Sequence, residues 1–219
     1  MVSKHFHPYI GGLEVRVVEL CRWLTRQGVD VAVATSREPH TEKQELVEGI
    51  RVSRSRRLYT LFNALVCPGV FATLMEADYD LVDLNMPDPP NSMFTYLACL
   101  IRGKPLFVTY HADIVKDKWY QKPFSLAYGL IQKLVLRRAK TIFVTSPNYA
   151  ESSKTLKPYM EKVKVAPSFI DPERFNTQVD GSSIRMKHTR DSKMILFVGR
   201  LIPYKGLDVL LEAFRQVRG

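Results

Sequence analysis

The sequence predicts an α/β fold: a mostly parallel sheet flanked by helices. Three observations lead there. Short β-branched runs recur along the 219 residues. Segments with apolar residues at helical spacing separate them. Turn residues or charges mark several of the joins, as at Asp80, Lys104-Pro105 and Lys140. Alternation of this kind signals βαβ units and a parallel sheet.

Taken in order, Met1-Val2-Ser3 reads as a short remnant of a first core strand, so an upstream start is expected. Leu13, Val17, Leu20 and Leu24 recur at helical spacing, and Gly28 supplies a stop. Glu14 in the first turn and Arg22 and Arg26 near the end suit the helix dipole. Strands are predicted over Val29 to Thr35, Leu81 to Leu84, Leu106 to Tyr110, Thr141 to Ser146, Val163 to Ala166 and Met194 to Gly199. A second helix runs from about Phe124 to Arg138. Its basic end, Lys133, Arg137, Arg138 and Lys140, either touches anionic lipid or caps a buried helix. Asn85 to Ser92 and Ile114 to Lys122 read as loops that select an acceptor. Pro167 to Asn176 reads as an irregular connection, and the polar run Thr177 to Ser192 as an exposed linker. Leu207, Leu210, Leu211, Phe214 and Val217 make an apolar stripe on a last helix. One strand and one helix cannot bury that stripe alone, so residues 193–219 read as the opening of a second, incomplete domain.

The formal charge is +10 and the sequence pI about 9.6, which favours anionic partners without choosing among them. The cluster Arg51, Arg54, Arg56 and Arg57 raises nucleic acid as one such partner. No nucleic-acid motif accompanies it and aromatic residues do not interleave the basic ones, so that class is set aside. Cys21, Cys67 and Cys99 have no metal-ligand spacing and lie in apolar contexts. They are expected to be reduced core residues of a cytosolic protein. The N-terminus has no apolar signal segment. The longest apolar run, Leu61 to Met75, is interrupted and falls short of a membrane span. Any membrane contact is therefore expected to be peripheral.

Three motifs carry chemistry. Pro8-Tyr9-Ile10-Gly11-Gly12-Leu13-Glu14 joins the first strand to the first helix. Its glycines let the backbone approach a ligand and expose amides that attract anions; taken alone, they read equally as a tight turn. Thr109-Tyr110-His111-Ala112-Asp113 ends a buried strand, at the edge where open α/β sheets bind ligands. His111 there is either a hydrogen-bond donor to a sugar hydroxyl or phosphate, or a structural side chain. Gly199-Arg200-Leu201-Ile202-Pro203-Tyr204-Lys205-Gly206 opens the last helix. Gly199 permits close approach, and Arg200 and Lys205 set two cations beside helix amides, a cradle for a diphosphate.

The run Leu196 to Phe214 resembles the start of the donor domain of group 1 (family 4) glycosyltransferases of the GT-B fold. Pro8 to Glu14 resembles the N-terminal Gly-Gly loop of that family, and Tyr110-His111 and Thr145-Ser146 fall where it has its strand-end His and Ser. The resemblance implies a Rossmann-like acceptor-side domain over residues 1–176, a linker at 177–192 and a truncated donor domain at 193–219. It implies a hexosyltransferase that moves a sugar from a nucleotide-sugar donor to a glycan, lipid-linked or small-molecule acceptor with retention of configuration. Arg200 and Lys205 would hold the donor diphosphate together with Gly11, Gly12 and Gly199, and His111 would lie near the transferred sugar. No metal or other cofactor is implied. The cell compartment implied is the cytoplasm, with peripheral contact to an anionic membrane.

Two departures stand out. Pro167 is followed by Ser168-Phe169-Ile170-Asp171 where the family usually has Asn-Gly, with Ile170, Asp171 and Phe175 keeping the pattern. The second acidic motif and nucleoside pocket of the family would lie beyond Gly219. A non-catalytic module that binds an acceptor or partner is therefore the competing expectation.

Overall fold

The computed structural model of the chain describes residues 1–61, 64–114, 122–168, 178–189, 193–202 and 205–218. It divides into two compact units, residues 1–171 and 172–219. The first is built on one twisted sheet with helices on both faces. Its elements run α1 (Gly12–Arg26), β1 (Ala32–Ser36), β2 (Gln44–Val47), β3 (Ile50–Ser55), β4 (Tyr59–Leu61), β5 (Ala64–Val66), α2 (Gly69–Glu76) and β6 (Val82–Met86). There follow α3 (Pro89–Ile101), β7 (Leu106–Tyr110), α4 (Lys122–Arg138), β8 (Ile142–Val144), α5 (Pro147–Ser152), a 3-10 turn over Lys157–Lys162 and β9 (Val163–Val165).

The sheet order is β2-β3-β1, then β6-β7-β8-β9, with β2 antiparallel at the edge and the other pairs parallel. The N-terminal segment joins the two groups. Val2 bridges Ala34 on one side and Leu84 on the other, both in parallel sense. Its N–H donates to the Asp83 carbonyl (2.8 Å), and the Asn85 N–H donates to the Val2 carbonyl (2.9 Å). On the other side Ala34 N–H donates to the Met1 carbonyl (2.9 Å) and Ser3 N–H to the Ala34 carbonyl (3.1 Å). Met1–Ser3 thus occupies the central place in the sheet, the position of a core strand that the sequence predicts. The strand order reverses at this segment, and an open parallel sheet leaves a crevice at such a reversal.

Alternation across the pleat builds two cores. Val33, Ile50 and Val52 pack with Val17 and Cys21 of α1 on one face. Ala34, Leu84, Val108 and Ile142 pack with Leu74, Ala98, Cys99 and Leu136 on the other. All three cysteines are buried free thiols, pushed up to about 11 by burial. The α1 stop works as expected: Gly28 has φ +82, the left-handed region that favours glycine, and its N–H donates to the Thr25 carbonyl. At the end of α4, Arg138 turns inward and donates to the carbonyls of Cys99 (2.7 Å) and Lys104 (3.3 Å), closing the end of α3.

Several expectations need correction. The strand predicted over Val29 to Thr35 runs Ala32–Ser36, because the Val29 N–H is taken by the Leu24 carbonyl at the end of α1. The strand predicted over Thr141 to Ser146 stops at Val144, because Ser146 leaves it to cap α5, its Oγ accepting from the Tyr149 N–H (3.2 Å). The loop predicted over Asn85 to Ser92 is strand to Met86 and helix from Pro89, since Pro-Pro fits the first helical turn, where N–H groups go unused. The linker predicted over Thr177 to Ser192 contains a helix, α6 (Ser182–His188), which follows a turn in which Asp180 accepts from Ser182. Ile170, Asp171 and Phe175 lie outside the described residues.

The second unit holds α6 and α7 (Leu207–Arg218). The strand predicted over Met194 to Gly199 does not form, and residues 193–202 are irregular. A strand needs a neighbour to satisfy its backbone groups. None exists among the described residues of this unit, and Leu196 and Val198 are exposed. Leu211, Phe214 and Val217 of the apolar stripe on α7 are exposed as well.

The central position of β6 sets a stability test. Leu84→Ala removes buried methyls at the junction of the two strand groups and should cost about 3 kcal/mol in urea unfolding. Leu46→Ala on the exposed side of edge strand β2, at a side chain 69% exposed, should stay within about 0.5 kcal/mol of wild type.

Candidate functional site

The carboxyl ends of the parallel strands in the first unit gather a polar edge inside an apolar frame. Each contribution follows from where its strand stops. The N-terminal segment ends at Lys4, whose carbonyl accepts from Ser36 Oγ (2.6 Å) at the end of β1. It leads into the loop that ends at Gly11. His5 holds that loop on one side through Glu38 (Nδ1 to Oε1, 2.6 Å) and stacks on Tyr9 (ring centroids 4.1 Å apart). Buried Arg54 donates to the His7 carbonyl. The loop is thereby tied down while Ile10 and Gly12 face solvent.

Gly11 is the N-cap of α1 and is extended, so its conformation does not require glycine. A Cβ there would lie 2.2 Å from Glu14 Oε2, the far end of a flexible side chain folded back over the helix start, so a larger residue would displace that carboxylate. No atom lies within 4 Å of where a Cβ would stand on Gly12. The exposed amides of this helix start remain available to an anionic group.

His111 follows β7. Its backbone N–H donates to the Met86 carbonyl (2.9 Å), which seats it beside the end of β6. Asn85 Nδ2 donates to the Val2 carbonyl (3.1 Å), so the Asn85 Oδ1 is an acceptor toward His111 Nε2 (2.9 Å). The imidazole therefore carries its proton on Nε2 and presents Nδ1 as an acceptor. Burial first and the nearby Arg16 guanidinium second lower its pKa to about 4. At neutral pH His111 is an uncharged, oriented acceptor. That reverses the expected hydrogen-bond direction, because the Asn85 side chain already takes the ring donor.

Arg16, on the second turn of α1, is buried and donates to the Ala166 carbonyl after β9 (3.4 Å), while its Nε and Nη1 make no hydrogen bond. Its charge disfavours the protonated form of His111. Asp88, after β6, is also buried; burial pushes its carboxyl up to about 6, against a hydrogen bond from Asn91 Nδ2 (2.7 Å). Behind His111, Tyr110 donates from its hydroxyl to Asp113 Oδ1 (2.7 Å) and accepts from Gln132 Nε2 (2.7 Å), which anchors the end of β7 to α4. Sequence reading missed Asn85, Arg16 and Asp88 as members of this edge. The polar residues at the end of β6 were a usable signal for Asn85 and Asp88; Arg16 looks like any polar position on a surface helix.

Among the described residues, no group of three His, Cys, Asp or Glu side chains has metal-binding geometry. The sequence does contain an Asp-x-Asp spacing, Asp78-Tyr79-Asp80. It lies in the turn before β6, at the amino ends of the strands, and Tyr79 there sits under Arg102 and Lys104.

The remaining predicted residues belong to the second unit. Gly199 has Phe197 packed where a Cβ would stand, 3.2 Å away. The Ile202 N–H donates to the Arg200 carbonyl (2.9 Å) and the Lys205 N–H to the Ile202 carbonyl (3.0 Å), a tight turn ending at Gly206 (φ +66) before α7. Arg200 and Lys205 are both exposed and are brought to the N-terminal side of α7. Pro203 and Tyr204 lie outside the described residues. The first unit thus gathers Gly11, Gly12 and His111 on one edge, and the second gathers Gly199, Arg200 and Lys205 in one turn.

Residues 10–174 match the family described as Glycosyltransferase Family 4. The chain is 31% identical to O-antigen chain mannosyltransferase C of Escherichia coli, over 99% of this chain and 57% of that protein. It is 30% identical to D-rhamnosyltransferase WbpZ of Pseudomonas aeruginosa, over 94% of this chain and 53% of that protein. The chain spans about half the length of these curated relatives. Among solved structures it is similar in fold to HepE of Anabaena in complex with UDP and glucose, with TM-score 0.70, 19% identity, and coverage of 98% of this chain and 56% of that one.

The histidine geometry makes a titration prediction. By NMR, His111 should stay neutral until pH falls to about 4. Its folded pKa lies below its unfolded one, so the unfolded chain takes the proton first. The stability difference between wild type and His111→Asn should be flat above about pH 6.5 and should fall between there and about 4. Asn85→Asp, which sets a carboxylate against Nε2, should move the midpoint up by about one unit or more. A wild-type midpoint near 6.5 would contradict the buried, oriented ring.

Proposed function

The chain belongs to Glycosyltransferase Family 4, of the GT-B fold, and from that premise we propose that it supplies the acceptor-side domain and the first part of the donor domain of a retaining glycosyltransferase. The reaction moves a hexosyl group from a nucleoside-diphosphate sugar to a glycan or lipid-linked acceptor. The domain limits proposed are 1–176, a linker at 177–192, and 193–219. Named functions of the relatives support the reading: a mannosyltransferase, a rhamnosyltransferase and a protein of the same fold with UDP and glucose bound.

The observation that carries it is the neutral imidazole of His111, fixed by Asn85 at the carboxyl edge of a parallel sheet and next to the helix that Gly11 and Gly12 open. A neutral acceptor suits a sugar hydroxyl, because Nδ1 takes its hydrogen bond without adding charge beside a glycosidic centre that becomes positive. Arg200 and Lys205 take the diphosphate. As the bond to the leaving group breaks, negative charge grows on that diphosphate, and two cations beside the amides of α7 stabilise it more than the ground state. The amides at Gly11 and Gly12 add further donors for a phosphate or acceptor group. No metal has a part in the scheme. We place the enzyme in the cytoplasm, at an anionic membrane face.

The test is sugar transfer from a panel of UDP-, GDP- and dTDP-sugars by a polypeptide of the relatives' length carrying this chain. Lys205→Ala and Arg200→Ala should each lower kcat/KM by about a hundredfold or more, with the loss mainly in kcat. His111→Ala should lower it by about a hundredfold. Unchanged turnover in Lys205→Ala would remove the diphosphate seat. Acceptor binding without turnover of any donor would favour a non-catalytic module.

A further inference from the structure

A cavity of about 540 Å³ opens beside the outer strands of the first unit, and none of Gly11, Gly12 and His111 lines it. Its floor is one face of β3 and β2. Ser53 and Gln44 are partners across that antiparallel ladder, so their side chains stand on the same side of the pleat. Ser55, two residues on, shares that side, and α2 begins directly over it: a Cβ on Gly69 would stand 2.9 Å from Ser55 Oγ. α2 packs on β1 and β3 and forms a wall through Ala72, Thr73 and Glu76, while Gln44 and Leu46 of β2 stay exposed. The edge strand thus carries the floor beyond the helix, and short side chains on α2 leave the space open.

Charge is sorted along the cavity. Arg37 follows β1 and Arg56 follows β3, while Lys43 precedes β2, which runs the other way. All three line the cavity and gather at the carboxyl ends of the parallel strands. Backbone bonds fix two of them: the Arg37 N–H donates to the Ser55 carbonyl (2.8 Å), and the Lys43 carbonyl accepts from the Arg54 N–H (2.7 Å). The Arg37 side chain donates from Nε to the Thr41 carbonyl (2.8 Å) and comes within 4.0 Å of exposed Glu42. Among the described residues Lys43 and Arg56 form no ion pair. Arg54 alternates to the opposite face, where it meets Glu45. The acid in the lining is Glu76, which ends α2. Since α2 starts over Ser55 and leads back toward the start of β6, Glu76 stands at the far end from the cations.

Between the two ends lie the hydroxyls of Ser53 and Thr73 and the amide of Gln44. A matching ligand carries an acid at one end and hydroxyl groups behind it. The cations take the acid, and the hydroxyls, the amide and the Glu76 carboxylate exchange hydrogen bonds with the rest. No aromatic side chain is in the described lining to stack a nucleobase, and Leu58 is the one large apolar side chain there, too little for an acyl chain. The volume lies in the range of sites for small molecules.

We propose that this cavity binds a saccharide bearing a phosphate or carboxylate, with the acid on Arg37, Lys43 and Arg56 and the hydroxyls toward Ser53, Thr73 and Glu76. The site goes beyond the proposed reaction and uses no step of it.

The experiment is calorimetry and amide NMR of the 219-residue chain with glucose 6-phosphate, glucuronate, glucose and inorganic phosphate, at about 0.1 M salt. At least one of the two sugar acids should bind about tenfold or more tightly than either glucose or inorganic phosphate, and should shift the amides of Ser53, Ser55 and Thr73. Binding of glucose 6-phosphate alone assigns the acid as phosphate, and of glucuronate alone as carboxylate. Lys43→Gln with Arg56→Gln should weaken binding by about tenfold or more. Ala72→Trp, which fills the space without changing charge, should weaken it as much. These side chains are exposed, so the melting curves should match wild type. Equal affinity for the sugar acids and inorganic phosphate would overturn the proposal, leaving diffuse anion binding. So would equal binding by wild type and Ala72→Trp, shifts confined to the amides of Gly11, Gly12 or Gly199, or no binding of either sugar acid.

Discussion

Val2 joins the two halves of the sheet, and its carbonyl also sets the chemistry at their edge. It accepts the Asn85 N–H, which closes the ladder between the N-terminal segment and β6, and it accepts the Asn85 side-chain amide. The second bond decides which end of that amide faces His111. An amide fixed this way offers oxygen to the ring, and the ring answers by keeping its proton on Nε2. Fold and site are therefore one hydrogen-bonded chain, running Val2, Asn85, His111. Among the described residues the β1 and β6 groups of strands share no other ladder, so a perturbation of the central segment acts on stability and on ring orientation together.

How much of this was readable in the sequence depends on the range of the forces involved. Leu106 to Tyr110 was read with its observed limits, because a buried parallel strand is a local apolar run bounded by Pro105 and a polar end. α1 was read from its stripe and its Gly28 stop for the same reason. The stretch from Leu61 to Met75 was read as one interrupted apolar run. In the structure it spans a short hairpin strand, Ala64–Val66, and a helix from Gly69, and the break at Pro68 is the helix N-cap. Asn85 to Ser92 failed in the same way, since Pro89-Pro90 looks like a loop until one sees that a helix can begin there. Met194 to Gly199 failed for the opposite reason: the pattern is that of a strand, but strand formation is a property of pairs.

The site was legible only where position along a strand carries information. His111 could be singled out because it ends β7. Its partners could not, because Asn85 lies twenty-six residues earlier and Arg16 comes from another helix altogether. A pair of glycines before a helix is also ambiguous until the neighbours are seen. At Gly11 the returning Glu14 carboxylate occupies the place of a Cβ, while the space at Gly12 is open. One glycine therefore serves the helix start itself, and the other leaves backbone accessible to a ligand.

Net charge shows the same division between what composition reports and what structure sorts. A formal +10 says that anions are favoured and nothing about where. Folding places Arg22, Arg51, Arg54 and Arg57 opposite glutamates and an aspartate, where each pair is locally near neutral. Arg138 is spent on the carbonyls that end α3, and Arg102 on those that end α2, so part of the basic stretch around α4 is structural. Helices α3 and α4, by contrast, contain no acid. In the cluster Arg51, Arg54, Arg56 and Arg57, which raised nucleic acid as a partner in the sequence, three of the four arginines meet Asp30, Glu45 and Glu38. α4 buries Tyr128, Val135 and Leu136 and also displays three leucines beside Lys133 and Arg137. A charge cluster is thus defined by the carboxylates that folding brings to it, and those come from elements that the linear sequence keeps apart.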